Sequence, residues 1–110
     1  MASAQVGQPA IAAPSDVAIT SVSKGATSGT YYVNLTWKDN STTETGFKIY
    51  QSINSTSNFQ IVKTPIANST SYGINLGTTP TKGTYYYKIV AVDSTGKLSQ
   101  YSNTVTATIQ

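Results

Sequence analysis

The stretch Leu35-Thr-Trp37-Lys-Asp39-Asn-Ser41-Thr-Thr-Glu44-Thr-Gly46-Phe47-Lys-Ile49-Tyr50 reads as a strand, a polar turn and a second strand. Leu35 and Trp37 fall on one face by the period-2 alternation of extended chain, and Phe47 and Ile49 do the same beyond the turn. The Asp, Asn, Ser, Thr and Gly between them hydrogen-bond locally or tolerate unusual backbone angles, which favours a turn over a continued strand. The single Trp of the chain lies in the first of these strands. There a large aromatic can fill the space between two sheets.

The same alternation extends outward. Upstream, Tyr31 and Val33 share the face of Leu35 and Trp37, giving a strand over Tyr31–Lys38. Before it, Val17, Ile19 and Val22 give an edge strand over 16–23 with a bulge ahead of Val22. Downstream, strands are expected over 46–53, 59–63 and 70–76, the last with Tyr72, Ile74 and Leu76 in phase. The strongest pattern is Thr84–Val92, with Tyr85, Tyr87, Ile89 and Ala91 on one face. Asp93-Ser-Thr-Gly96-Lys makes a hairpin connection, and a last strand is expected over 98–109 with Val105, Ala107 and Ile109 inward. Seven short strands without helical periodicity predict an all-β, seven-stranded antiparallel sandwich of immunoglobulin-like type. Trp37, Tyr85, Leu35, Phe47, Ile49 and Ile89 are its expected core anchors.

The turn Asp39-Asn40-Ser41 followed by Glu44-Thr45-Gly46-Phe47 resembles the bacterial form of the fibronectin type III module. So does the run from Tyr85 through Val92 and on through Asp93-Ser-Thr-Gly96-Lys-Leu-Ser99-Gln-Tyr-Ser102-Asn103. The resemblance covers Pro14 to Ile109. It implies that Tyr85 forms a tyrosine corner, with its ring in the core and its hydroxyl tied to the preceding connection. The loop from Leu76 to Tyr85 is longer than the family pattern, and there is no Arg-Gly-Asp tripeptide, so integrin-type adhesion is not implied.

Composition narrows the chemistry. One domain is expected at 110 residues. Cys and His are absent, which removes disulfides, thiolate metal sites and the usual nucleophilic triads. The acids are Asp16, Asp39, Glu44 and Asp93. Asp39 and Glu44 could face each other across the turn, yet short polar side chains in turns commonly serve the backbone. No enzyme activity, cofactor or metal is therefore expected. The net charge of +3 comes from lysines scattered along the chain, which argues against nucleic acid as a partner. No apolar run reaches membrane-spanning length, so membrane insertion is not expected. Four Asn-x-Ser/Thr sequons, at Asn34, Asn40, Asn54 and Asn68, read as turn and surface polarity.

Two features point to partners. Tyr50 and Lys48 on the third strand, and Tyr86 and Lys88 on the sixth, are expected on one exposed sheet face together with Val90. Cross-strand pairing accounts for such tyrosines without a ligand; the alternative is a platform for a sugar ring or a protein. Residues 1–13 carry few large apolar groups, among them Val6 and Ile11, with Pro9 between. Ordering such a segment costs about 1–2 kcal/mol per residue, so the expectation is a tail held by another chain. With no basic, apolar leader at Met1, the function expected is a structural display module on a larger assembly, such as a phage virion decoration protein at the virion surface. The alternative is a spacer module of a secreted bacterial enzyme acting on polysaccharide, or of a cell-surface protein.

Overall fold

The computed structural model describes residues 11–110. Seven strands form two antiparallel sheets and there is no helix among the described residues. The strands are β1 (Ser15–Lys24), β2 (Tyr31–Lys38), β3 (Glu44–Ile53), β4 (Gln60–Lys63), β5 (Ser71–Gly77), β6 (Gly83–Asp93) and β7 (Val105–Ile109). One sheet has the order β1-β2-β5 and the other β4-β3-β6-β7.

Alternation decides what lies between them. Val33, Leu35 and Trp37 from β2, Phe47 and Ile49 from β3, and Tyr85, Tyr87, Ile89 and Ala91 from β6 are all buried in one cluster. Trp37 and Phe47 meet edge to face, with ring centroids 5.6 Å apart and planes at 64°, which brings the positive edge of one ring to the negative face of the other. The Tyr85 hydroxyl donates to the carbonyl of Thr81, four residues back, and the ring above it is fully buried. The Tyr87 hydroxyl donates to Gln51 Oε1 at 2.8 Å across the β3–β6 pair. Burial pushes the Tyr87 phenol far above its ordinary range. Trp37 Nε1 and Ser52 Oγ are buried without a partner among the described residues.

Loop geometry fixes the register. Asn54 adopts a left-handed conformation (φ 57°), and its backbone N–H donates to Thr84 O at 2.7 Å while Thr84 N–H returns a bond to Asn54 Oδ1 at 2.9 Å. Gly83 sits against that side chain at φ 134°, where an added Cβ would collide with the Asn54 amide. Gly96 (φ 85°) closes the turn after β6, where Asp93 Oδ1 accepts from Thr95 N–H, Thr95 Oγ1 and Lys97 N–H. These three bonds, led by the Thr95 hydroxyl, hold the Asp93 carboxyl below its ordinary range.

Three expectations need correction. The last strand begins at Val105, not Leu98. Residues 98–103 instead run beside β6 held by mixed bonds. Ser99 and Ser102 donate their backbone N–H to Ala91 O and Ile89 O, and their hydroxyls accept from Ala91 N–H and Ile89 N–H. Two backbone amides of β6 are thus met by side chains, which breaks the ladder that a strand requires. Val90, expected on the exposed face, is buried, because it lies between Lys48 of β3 and the segment held by Ser99 and Ser102. Ile11, assigned to a tail held by another chain, is half-buried and packs on the chain's own core. Val6 and Pro9 lie outside the described residues.

Trp37→Ala should destabilise the domain by about 3–5 kcal/mol, the cost of a large cavity in a packed core. Urea denaturation measures it, and a change of a few tenths would contradict the inward phase of β2. Tyr85→Phe removes one hydrogen bond and keeps the ring, so its expected cost is about 1 kcal/mol. A cost as large as that of Trp37→Ala would show that the hydroxyl contact organises the whole β5–β6 connection.

Candidate functional site

Two groupings of polar and aromatic side chains could carry function. The first is the carboxylate pair at the β2–β3 turn. Asp39 Oδ1 accepts from Ser41 N–H at 3.0 Å, and buried Glu44 accepts from Asn68 N–H at 2.9 Å through Oε2. Partial burial raises the Asp39 carboxyl above its ordinary range, with the neighbouring Glu44 adding to the shift. Each carboxylate therefore has a backbone amide as its partner and stitches a loop closed. Four clefts in the surface of the sandwich are lined by neither residue.

The largest of those clefts, about 480 Å³, opens between the free edges of β4 and β5. Its walls include Val62, Ile74, Leu76, Pro80 and the ring of Tyr85, with Gln51 and Lys63 as polar members. It contains no carboxylate, and the described residues hold no cluster of metal-ligating side chains.

The second grouping is on the outer face of the four-stranded sheet. Tyr50 of β3 lies directly opposite Lys88 of β6, Lys48 opposite Val90, and Ser52 opposite Tyr86. Tyr50 and Tyr86 are thus offset by two residues across the pair, and the structure does not stack their rings. The aromatic partner of Tyr50 is Tyr101, edge to face at 5.3 Å and 81°. Burial, and then the adjacent Tyr101 hydroxyl, push the Tyr50 phenol above its ordinary range. The Lys88 ammonium lies 3.6 Å from the Tyr101 ring centroid and 4.2 Å from that of Phe59. Phe59 precedes β4, whose Ile61 pairs with Tyr50 and is itself exposed. The result is a row across the sheet of Ile61, Tyr50, Lys88 and Tyr101, with Phe59 at its side.

Sequence reasoning placed Tyr50, Lys48, Tyr86 and Lys88 on this face but missed Tyr101 and Phe59. Tyr101 belongs to the segment expected to be regular strand, whose actual path depends on Ser99 and Ser102 replacing backbone partners. The Ser-x-x-Ser spacing beside a strong strand is the one signal that could have pointed to it.

No protein-family model matches the sequence, and no curated protein sequence does. Solved structures match the fold. A fibronectin type III domain of human fibronectin type III domain containing protein 3 superposes with a TM-score of 0.64 at 18% identity, over 93% of this chain and 88% of that one. A β-1,2-glucanase from Parabacteroides distasonis gives 0.70 at 22% identity, over 90% of this chain but 12% of the enzyme. A multi-domain titin fragment gives 0.67 at 20% identity, over 90% of this chain and 32% of that one. The chain therefore spans a small part of the glucanase and about a third of the titin fragment. The matches come from a bacterial enzyme and a human protein alike, so they support the type III fold and not its bacterial form. The sandwich described above has the fold of a fibronectin type III domain.

Proposed function

We propose that the chain is a non-catalytic spacer module, one that holds its neighbours at opposite ends of a rigid sandwich in a secreted or surface-exposed protein. The observation that supports this is the path of the chain. Ser15 enters β1 beside Lys38, at one end of β2. Ile109 leaves β7 beside Gly83, and with Gln110 it lines a cleft that includes Tyr31, at the other end of β2. Segments before β1 and after β7 would therefore depart from opposite poles, separated by the length of the eight-residue strand β2, or roughly 25 Å. The occurrence of the same fold within a longer bacterial glucanase and within titin supports a modular role.

Virion display through an N-terminal tail is the weaker reading. It needs residues 1–13 to be available to another chain, and Ile11 is engaged by the sandwich of its own chain.

The test is replacement. In the protein that carries this chain, residues 11–110 are exchanged for an unrelated sandwich whose ends also lie at opposite poles, and in parallel for one whose ends lie at the same pole. Retained activity of the flanking parts with the first exchange and loss with the second is the expected outcome. Loss with both, or turnover of a glycosidic substrate by the isolated chain that disappears in Glu44→Gln, would contradict the proposal.

A further inference from the structure

The outer face of β3 and β6 holds an ammonium group that has been fixed without being neutralised. Lys88 lies between two aromatic rings, 3.6 Å from the Tyr101 centroid and 4.2 Å from the Phe59 centroid. Ring faces attract a cation through their quadrupole, so the side chain is held in one place. They accept none of its charge, and an ammonium has three N–H donors to offer. The four carboxylates of the chain are elsewhere. Asp16 is on β1 in the other sheet, Asp39 is in the β2–β3 turn, and Glu44 and Asp93 pair at the far end of β3 and β6. Lys48 adds a second positive charge to the same face, opposite Val90.

The surroundings are rigid and aromatic. Tyr101 is carried on the segment that four hydrogen bonds from Ser99 and Ser102 fasten to β6. Tyr101 is about half exposed as a residue, at 51%, and its ring meets that of half-buried Tyr50 edge to face. Exposed ring surface beside a fixed cation suits a ligand that offers C–H groups and an anion within a few ångströms of each other. A sugar ring bearing an acidic substituent does so: its axial C–H groups pack on an aromatic ring while the anion reaches the ammonium. A protein partner fits less well, because a standard interface needs about 800 Å² from each side around a buried apolar centre. Here the Lys88 ammonium interrupts the row of Ile61, Tyr50 and Tyr101, and the neighbouring rows carry Lys48 with buried Val90 on one side and buried Ser52, half-buried Tyr86 and exposed Thr106 on the other.

We propose that the face formed by Tyr50, Phe59, Lys88 and Tyr101 binds an acidic glycan, with the sugar ring on the exposed tyrosine surface and its anionic group on the Lys88 ammonium. The binding is weak, with a dissociation constant of about millimolar expected for this single face. It does not depend on the spacer reading, since a display module could carry the same face.

The experiment is an NMR titration of the ¹⁵N-labelled full chain. The probes are an oligogalacturonate, a sulfated glucan oligomer of equal length, a neutral glucan oligomer and polyglutamate. Saturable shifts confined to the amides around Tyr50, Phe59, Lys88 and Tyr101 are expected with one or both acidic sugars, and which of the two acts tells carboxylate from sulfate recognition. Lys88→Met, which keeps most of the aliphatic stem, and Tyr101→Ala should each weaken binding by about threefold to tenfold. Lys97→Met, at the turn after β6, should leave it unchanged. If Tyr101→Ala fails to fold, Lys88→Met carries the test, its fold checked by the unperturbed signals of the inner core. Absence of localised shifts with both acidic sugars, equal shifts with polyglutamate, or equal affinity for the neutral glucan would overturn the proposal.

Discussion

The structure depends on one constraint: its two sheets share no hydrogen-bonded ladder, so side-chain packing between them has to hold the sandwich together. Trp37 and Phe47 are central to that packing. They sit on facing sheets with their rings edge to face, and they flank the turn that carries the chain from one sheet to the other. A slip of one residue in β2 or β3 would turn either ring to solvent, so their burial selects the register as well as the stability. Side-chain bonds reinforce it at the rims. Asn103 donates to Val17 O at 2.9 Å and accepts from Val17 N–H at 3.0 Å, which ties the edge strand β1 to the approach to β7.

What was legible in the sequence is what alternation controls. The phases of β2, β3, β5 and β6 follow from Tyr31 to Trp37, Phe47 and Ile49, Tyr72 to Leu76, and Tyr85 to Ala91, because each places its large apolar groups on one side of an extended chain. The bulge ahead of Val22 was legible for the same reason: the shift between Ile19 and Ser21 marks where the pattern loses phase. The path of residues 98–104 was not legible. Serine hydroxyls that substitute for carbonyl acceptors leave no period in the sequence, and the burial of Val90 follows from that path rather than from its own strand. The position of Ile11 was likewise hidden, because a lone apolar residue outside any alternating run carries no phase that places it on the core.

The candidate binding face divides in the same way. Tyr50 and Lys88 are opposite one another because β3 and β6 pair in register, and alternation alone sets them outward. Phe59 and Tyr101 complete the group from outside the regular strands; the Ser99-x-x-Ser102 spacing is the one sequence signal for Tyr101, and Phe59 has none. The carboxylates illustrate the converse. Asp39 and Glu44 attract notice as an acidic pair, but each serves a loop amide, and the inner scaffold spends them on closing turns. The molecule thus separates a packed interior from an outer face whose charge is fixed by aromatic contacts.

Packing between the sheets makes them a single cooperative unit. Native-state hydrogen exchange tests this most directly, comparing the amides of Val33 and Leu35 in one sheet with those of Ile49 and Ile89 in the other. If the two sheets open together, all four exchange with the same free energy, equal to that of global unfolding, and Trp37→Ala lowers all four equally. Exchange of one pair at a substantially lower free energy than the other, or a Trp37→Ala effect confined to β2, would contradict the claim.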